Sequence, residues 1–139
     1  MVFSTKARLP TIDDELKPKL HAYLGGIARE IKGKAYAIGG VANHVYLLVS
    51  LPPNVCVSDA VRVVETNSCG WIHKLNPKYK TFAWQNGYGA FTVSKSNVPD
   101  VFDYIQNQEE HHKQRDFKAE LIAFLRKHEV EYDEKYLWS

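Results

Sequence analysis

The chain has 139 residues, 45% of them hydrophobic and 24% charged, with a formal net charge of +2. This fits one domain with a real core, and it excludes a disordered chain and a strongly basic duplex-coating protein. No apolar run approaches the roughly 18 residues that a membrane helix needs. Cys56 and Cys69 are the only cysteines and lack the spacing of a zinc site, and no signal peptide precedes them. They imply a reduced, cytoplasmic protein.

Residues 2–5, VFST, read as a short β run at the very start of the chain, so the first strand is expected to be shortened. Ile12, Leu16, Leu20, Leu24, Ile27 and Ile31 recur every three or four residues and predict an amphipathic helix over 13–32. Asp13 is its candidate cap, Pro18 implies a kink or a short first turn, and Gly33 a stop. Two β-rich runs follow, with Gly39-Gly40 between them as a hairpin turn or bulge. On the second run, Ala42, His44, Tyr46, Leu48 and Ser50 share one face. Val41, Asn43, Val45, Leu47, Val49 and Leu51 share the other, which is the expected core face. Pro52-Pro53 ends the strand.

Ser58 is the expected cap of a second helix, whose buried stripe is Val61, Val64, Ser68, Trp71, Ile72 and Leu75, closed by Asn76-Pro77. Residues 82–94 read as glycine-punctuated β structure with a turn at Asn86-Gly87. Asn97 and Pro99 open a third helix, on which Val101, Phe102 and Ile105 are expected to face the core. A fourth helix is predicted after Asp116, and an aromatic, acidic tail over 131–138. The order β-α-β-β-α-β-α-α fits one α+β domain over 1–139. It is an antiparallel sheet with helices on one side, a ferredoxin-like sandwich related to the RNA-recognition motif.

On the third helix, Tyr104, Gln108 and His112 stack at i, i+4 and i+8. A phenol that attacks phosphorus needs a cation close by to neutralise the phosphate oxygens. A helix with a nucleophile and an amide ligand one turn apart supplies both in fixed geometry. The plain alternative is an exposed amphipathic helix with a surface tyrosine. His44 and Tyr46 point the same way from their strand. Two imidazoles at i and i+2 commonly grip a divalent metal, whereas one histidine and one tyrosine is a weaker signal, and a lone strand histidine is often structural.

The segments VFSTKARLP, NHVYLLVSLPP, NSCGWIHKL, FAWQNGYGAFTVS, YIQNQEEHH and EYDEKYLW occur in the order found in a known family. Over nearly its whole length the chain resembles the HUH single-strand DNA transposases of the insertion-sequence-200-like type, including their REP-associated tyrosine relatives. The resemblance implies single-stranded or hairpin DNA as partner, and cleavage and rejoining through a 5′-phosphotyrosine. It also implies a homodimer and a Mg²⁺ or Mn²⁺ ion held by two histidines and a glutamine. It makes Tyr104 the nucleophile, His44 the first metal ligand and Gln108 the third.

Tyr46 replaces the second metal histidine, and a neutral phenol with a pKa near 10 is a poor ligand for a hard cation. His112 is a possible substitute one turn beyond Gln108. Glu65 and Gly70 stand where relatives often carry basic residues, each removing a phosphate contact. Candidate DNA contacts are Lys6, Arg8, Lys74, Lys78, His111 and Arg115, with Trp71, Lys80 and Lys113 nearby. Their plain alternative is solvated surface, with Trp71 in the core. Three readings therefore stand at this point: a metal-dependent tyrosine transposase, an impaired relative that serves as a DNA-binding module, and an α+β domain for protein association, which only the weak net charge favours.

Overall fold

The computed structural model describes residues 1–108 and Ala119. The predicted fourth helix, the tail at 131–138, and His111, His112, Lys113 and Arg115 lie outside the described residues. In chain order the main elements are β1 (Val2–Ser4), α1 (Leu16–Glu30), β2 (Lys34–Val41), β3 (His44–Ser50), α2 (Val57–Leu75) and α3 (Val98–Gln106). The strands form an antiparallel sheet in the order β1-β3-β2, and the fold is α+β as expected.

The amphipathic pattern forms α1 as its spacing dictates, with Leu16, Leu20, Leu24 and Ile27 buried. Asp13 Oδ1 accepts the Leu16 N–H at 2.8 Å and so satisfies a donor that the first turn leaves open. Pro18 sits in that first turn, where its missing N–H costs nothing. At the other end Lys32 is left-handed, with φ of 67°, and Gly33 follows as the expected stop. The Gly33 N–H closes the helix on Ala28 O at 2.8 Å. α2 begins at Val57 with Cys56 before it, so Ser58 lies inside the helix and is not its cap. Val61, Val64, Ser68 and Ile72 carry the buried stripe, and Leu75 at its end is exposed.

Both faces of the sheet are covered, which departs from the one-sided layout expected. Successive strand residues alternate between two separate clusters. Phe3 and Val45 pack with the α1 and α2 residues Leu16, Leu20, Leu24, Val61, Val64 and Ile72. Val2, Tyr46 and Leu48 pack on the opposite face with Ala37 and Ile105, joined by Val98, Val101 and Tyr104. The third helix thus fills the face that its own apolar stripe can bury. That stripe is Val98, Val101 and Ile105, whereas Phe102, expected inside, is 39% exposed.

The β2–β3 turn is Ala42-Asn43, because Val41 pairs with His44. Gly39-Gly40, expected at the turn, lies within β2 opposite Tyr46 and Val45. Neither turn residue adopts the left-handed backbone that two-residue hairpin loops favour. Their carbonyls are instead held from outside, Ala42 O by the Ile12 N–H and Asn43 O by the Thr5 N–H, both at 2.9 Å. Residues 82–94 form no full strand. They touch β1 through bridges at Val2–Gly89 and Thr5–Trp84. Five steps of chain there face three on β1, and the excess bulges out at Asn86-Gly87, where Gly87 has φ of 87°.

Candidate functional site

The hairpin turn and the C-terminal end of α3 meet at one point. His44, the first residue of β3, is fully buried, and Gln108, just past α3, is 2% exposed. His44 Nε2 lies 3.1 Å from Gln108 Oε1, across 64 positions of sequence. The Gln108 amide is oriented by its own helix: Nε2 donates to Tyr104 O at 3.0 Å, which turns Oε1 toward the imidazole. On the other side of the ring, His44 Nδ1 stands 2.9 Å from Asn43 Oδ1. With Nδ1–H donated to Asn43, Nε2 carries a lone pair that faces the Gln108 carbonyl oxygen. Two acceptors so placed repel unless a cation or a proton lies between them.

Asn43 was missed by the sequence reading. With the turn set at Gly39-Gly40, alternation put Asn43 on the core face of the strand. Because it belongs to the turn, its side chain is free to reach the neighbouring imidazole.

Tyr46 shares the His44 face, as alternation requires. Its ring meets His44 edge to face at 5.4 Å and Tyr104 edge to face at 5.7 Å. Tyr46 is therefore a wedge between the imidazole and the candidate nucleophile, and it forms part of the α3-side core. The structure brings together His44, Tyr46, Tyr104 and Gln108. Among the described residues no three His, Cys, Asp or Glu side chains gather as a metal cluster. Any cation at this point would thus rely on the mixed histidine and glutamine donors.

The basic candidates divide by environment. Lys6 and Arg8 lie in a tight turn after β1, where Ala7 and Arg8 have φ of 56° and 55°. Lys74 is exposed in the last turn of α2. Lys78 donates to Glu15 Oε2 at 2.8 Å and stands 3.5 Å from Asp13 Oδ2, so two carboxylates already balance its charge. The hydrogen bond to Glu15 raises its pKa further, after which burial lowers it less. Trp71 stacks on Tyr23 at 4.2 Å.

Other reactive groups are poor candidates for chemistry. The Cys69 sulfur is 3.6 Å from His73 Nε2, yet burial raises its thiol pKa. Glu65 is pushed up to about 7 and His21 down to about 4, both mainly by burial. Glu65 Oε1 and His21 Nε2 have no hydrogen-bond partner among the described residues. Both sit on α1 and α2, across the sheet from α3.

The family model described as Transposase IS200 like matches residues 1–108. The chain belongs to this family. That span includes the whole His44–Gln108 arrangement. The crystal structure of a candidate transposase from Deinococcus radiodurans R1 is similar, with a TM-score of 0.61 and 24% identity. The match covers 77% of this chain and 86% of that chain, and at this identity it speaks to the fold. No curated protein matches. Membership of the IS200-like family implies DNA as the partner. Among the described residues no helix is long and apolar enough to cross a membrane.

Proposed function

We propose that this IS200-like chain cleaves and rejoins single-stranded or hairpin DNA, with Tyr104 as nucleophile. The observation that carries the reading is the convergence of His44 Nε2 and Gln108 Oε1 at 3.1 Å, one helical turn from Tyr104. The Tyr104 oxygen attacks the scissile phosphorus and gives up its proton to water. The bond from phosphorus to the 3′-oxygen breaks, and that oxygen takes its electron pair and then a proton. A 5′-phosphotyrosine and a free 3′-OH result. The reverse attack by a 3′-OH restores both the DNA and the tyrosine, so rejoining needs no outside energy source.

His44 and Gln108 suit a Mg²⁺ or Mn²⁺ ion. The imidazole nitrogen and the amide oxygen face each other at 3.1 Å and would be the donors that hold it. Asn43 fixes the imidazole tautomer such a ligand requires. When bound, the ion would neutralise charge on the nonbridging phosphate oxygens. Tyr46, as a neutral phenol, adds little as a third donor, so affinity for the bare ion is expected to be low. Lys6, Arg8 and Lys74 are the basic side chains proposed to meet phosphates, and Lys78 is already held by Glu15 and Asp13. The acting unit is inferred to be a homodimer, on the family resemblance alone, and light scattering checks this.

The wedge position of Tyr46 favours a second reading, in which the chain binds the same DNA without cutting it. Incubation with single-stranded hairpin oligonucleotides and Mn²⁺, followed by denaturing gels, separates the two. A covalent adduct that disappears in Tyr104→Phe supports the transferase. DNA binding with no adduct, and an adduct regained in Tyr46→His, supports the binding module.

A further inference from the structure

The helix that carries Tyr104 and Gln108 rests on the sheet at one place that admits no side chain. A Cβ added at Gly39 would overlap the Ile105 carbonyl oxygen. It would also stand 2.9 Å from the Ile105 carbonyl carbon and 2.9 Å from its Cγ2. Real Cβ atoms do not approach so closely. The neighbouring glycine faces the other partner: a Cβ at Gly40 would overlap the His44 carbonyl oxygen and stand 3.0 Å from Val45 Cα. Both glycines lie within β2 and neither has a left-handed φ, so closeness, not backbone freedom, is what demands glycine here.

We propose that Gly39-Gly40 is the positioning seat of the site, pressing α3 on one side and the His44 backbone on the other so that Gln108 reaches the imidazole. The proposal rests on reading His44 and Gln108 as the site. Ile105 is buried and lies between Tyr104 and the turn that bears Gln108, so the depth of its seat sets the position of both. A methyl at Gly39 requires α3 to retreat by about 1 Å or more to recover ordinary van der Waals separation. A shift of that size along the line of contact takes Gln108 Oε1 out of reach of His44 Nε2, now 3.1 Å away. A misplacement of about 1 Å costs on the order of 10²-fold in rate.

The test compares Gly39→Ala with Gly70→Ala, whose added Cβ meets nothing within 4 Å. Four quantities are read: the ¹⁵N resonance of His44 Nε2, Mn²⁺ affinity by electron paramagnetic resonance, affinity for a hairpin oligonucleotide, and adduct formation on it. Gly39→Ala is expected to shift the His44 resonance, to lose at least about tenfold in Mn²⁺ affinity and adduct rate, and to keep its affinity for the oligonucleotide. Gly70→Ala is expected to match the native protein in all four. A folded Gly39→Ala with an unshifted His44 resonance and native Mn²⁺ affinity would overturn the proposal. Should Gly39→Ala not fold, Ile105→Ala keeps the carbonyl at the seat and removes the Cγ2 that packs beside Gly39. It is expected to move the His44 resonance, and an unmoved resonance counts against the seat. If the native protein forms no adduct, the proposed activity fails, while the His44 resonance still decides the role of the glycines.

Discussion

Replacing Tyr46 by phenylalanine removes one oxygen and keeps the ring, which makes it the sharpest probe of this site. Tyr46 is 5% exposed, with edge-to-face neighbours at 5.4 and 5.7 Å. Each such contact is worth about 0.5–1.5 kcal/mol beyond its area, and both survive in Tyr46→Phe. With both ring contacts kept, Tyr46→Phe is expected to change Tm by no more than a few degrees for a domain of this size. Tyr46→Ala, by contrast, empties the wedge and costs about 3–5 kcal/mol, a large share of the total for a domain stable by about 5–15 kcal/mol. Because a neutral phenol contributes little to a hard cation, Tyr46→Phe is expected to change Mn²⁺ affinity by less than about threefold. Tyr46→His supplies the missing imidazole and is expected to tighten Mn²⁺ by at least about tenfold. Thermal melts and electron paramagnetic resonance titrations on the three variants measure both quantities. A Tyr46→Phe protein with native Tm but Mn²⁺ affinity tenfold weaker would refute the wedge, and would make the Tyr46 oxygen a metal ligand.

The half-buried Glu65 makes stability depend on pH. Its folded pKa, about 7, lies above its ordinary value of 4.5, so the folded state binds more protons in that window and stability falls as pH rises through it. Glu65→Gln should therefore raise Tm clearly at pH 8 and little at pH 4, and an equal gain at both would exclude the carboxylate as the cause. His21 acts in the opposite direction: its folded pKa of about 4 lies below the ordinary 6.5, so stability is lost as pH falls from 6.5 toward 4, a loss that His21→Gln should remove in acid melts. In DNA binding, Lys74→Ala should lower the salt slope by about 0.7 per lost phosphate contact, while Lys78→Ala, whose charge is already balanced, should leave it unchanged. Ile105→Ala should destabilise by about 2–4 kcal/mol and Phe102→Ser by under 1 kcal/mol, since only the first is buried; equal losses in denaturant melts would mean the helix faces the other way.

Where the sequence was legible, periodicity set the answer. The 3–4 spacing of Leu16, Leu20, Leu24 and Ile27 is unambiguous for a helix, and alternation placed His44 and Tyr46 on one face. Where it misled, a long-range contact set the answer. Gly39-Gly40 looked like a turn because paired glycines usually are one. The reason for Gly39 lies about 66 residues away at Ile105, and the reason for Gly40 lies across the hairpin at His44 and Val45. Ala42-Asn43 carries no strong turn signal because its geometry is held by Thr5 and Ile12 from outside. Phe102 looked like core, but on α3 the buried position is Ile105 with the partly buried Val98 and Val101 beside it, and Phe102 falls outside that arc.

The two clusters flanking the sheet have different consequences for mutation. The α1–α2 side is a plain core, so its residues report stability alone. The α3 side is core and candidate site at once: Tyr46, Ile105 and Tyr104 pack together while Tyr104 O holds the Gln108 amide. Removing the Tyr104 ring would therefore release α3 from Tyr46 and disturb the His44–Gln108 approach together with the nucleophile. Tyr104→Ala would confuse a lost reaction with a lost helix position. Tyr104→Phe keeps the ring edge, the backbone carbonyl and the buried area, and removes only the attacking oxygen. If the phenol is the nucleophile, Tyr104→Phe abolishes the adduct while Mn²⁺ affinity and Tm stay near native. A Tyr104→Phe protein that still forms the adduct would move the attack to another oxygen and leave Tyr104 a packing residue.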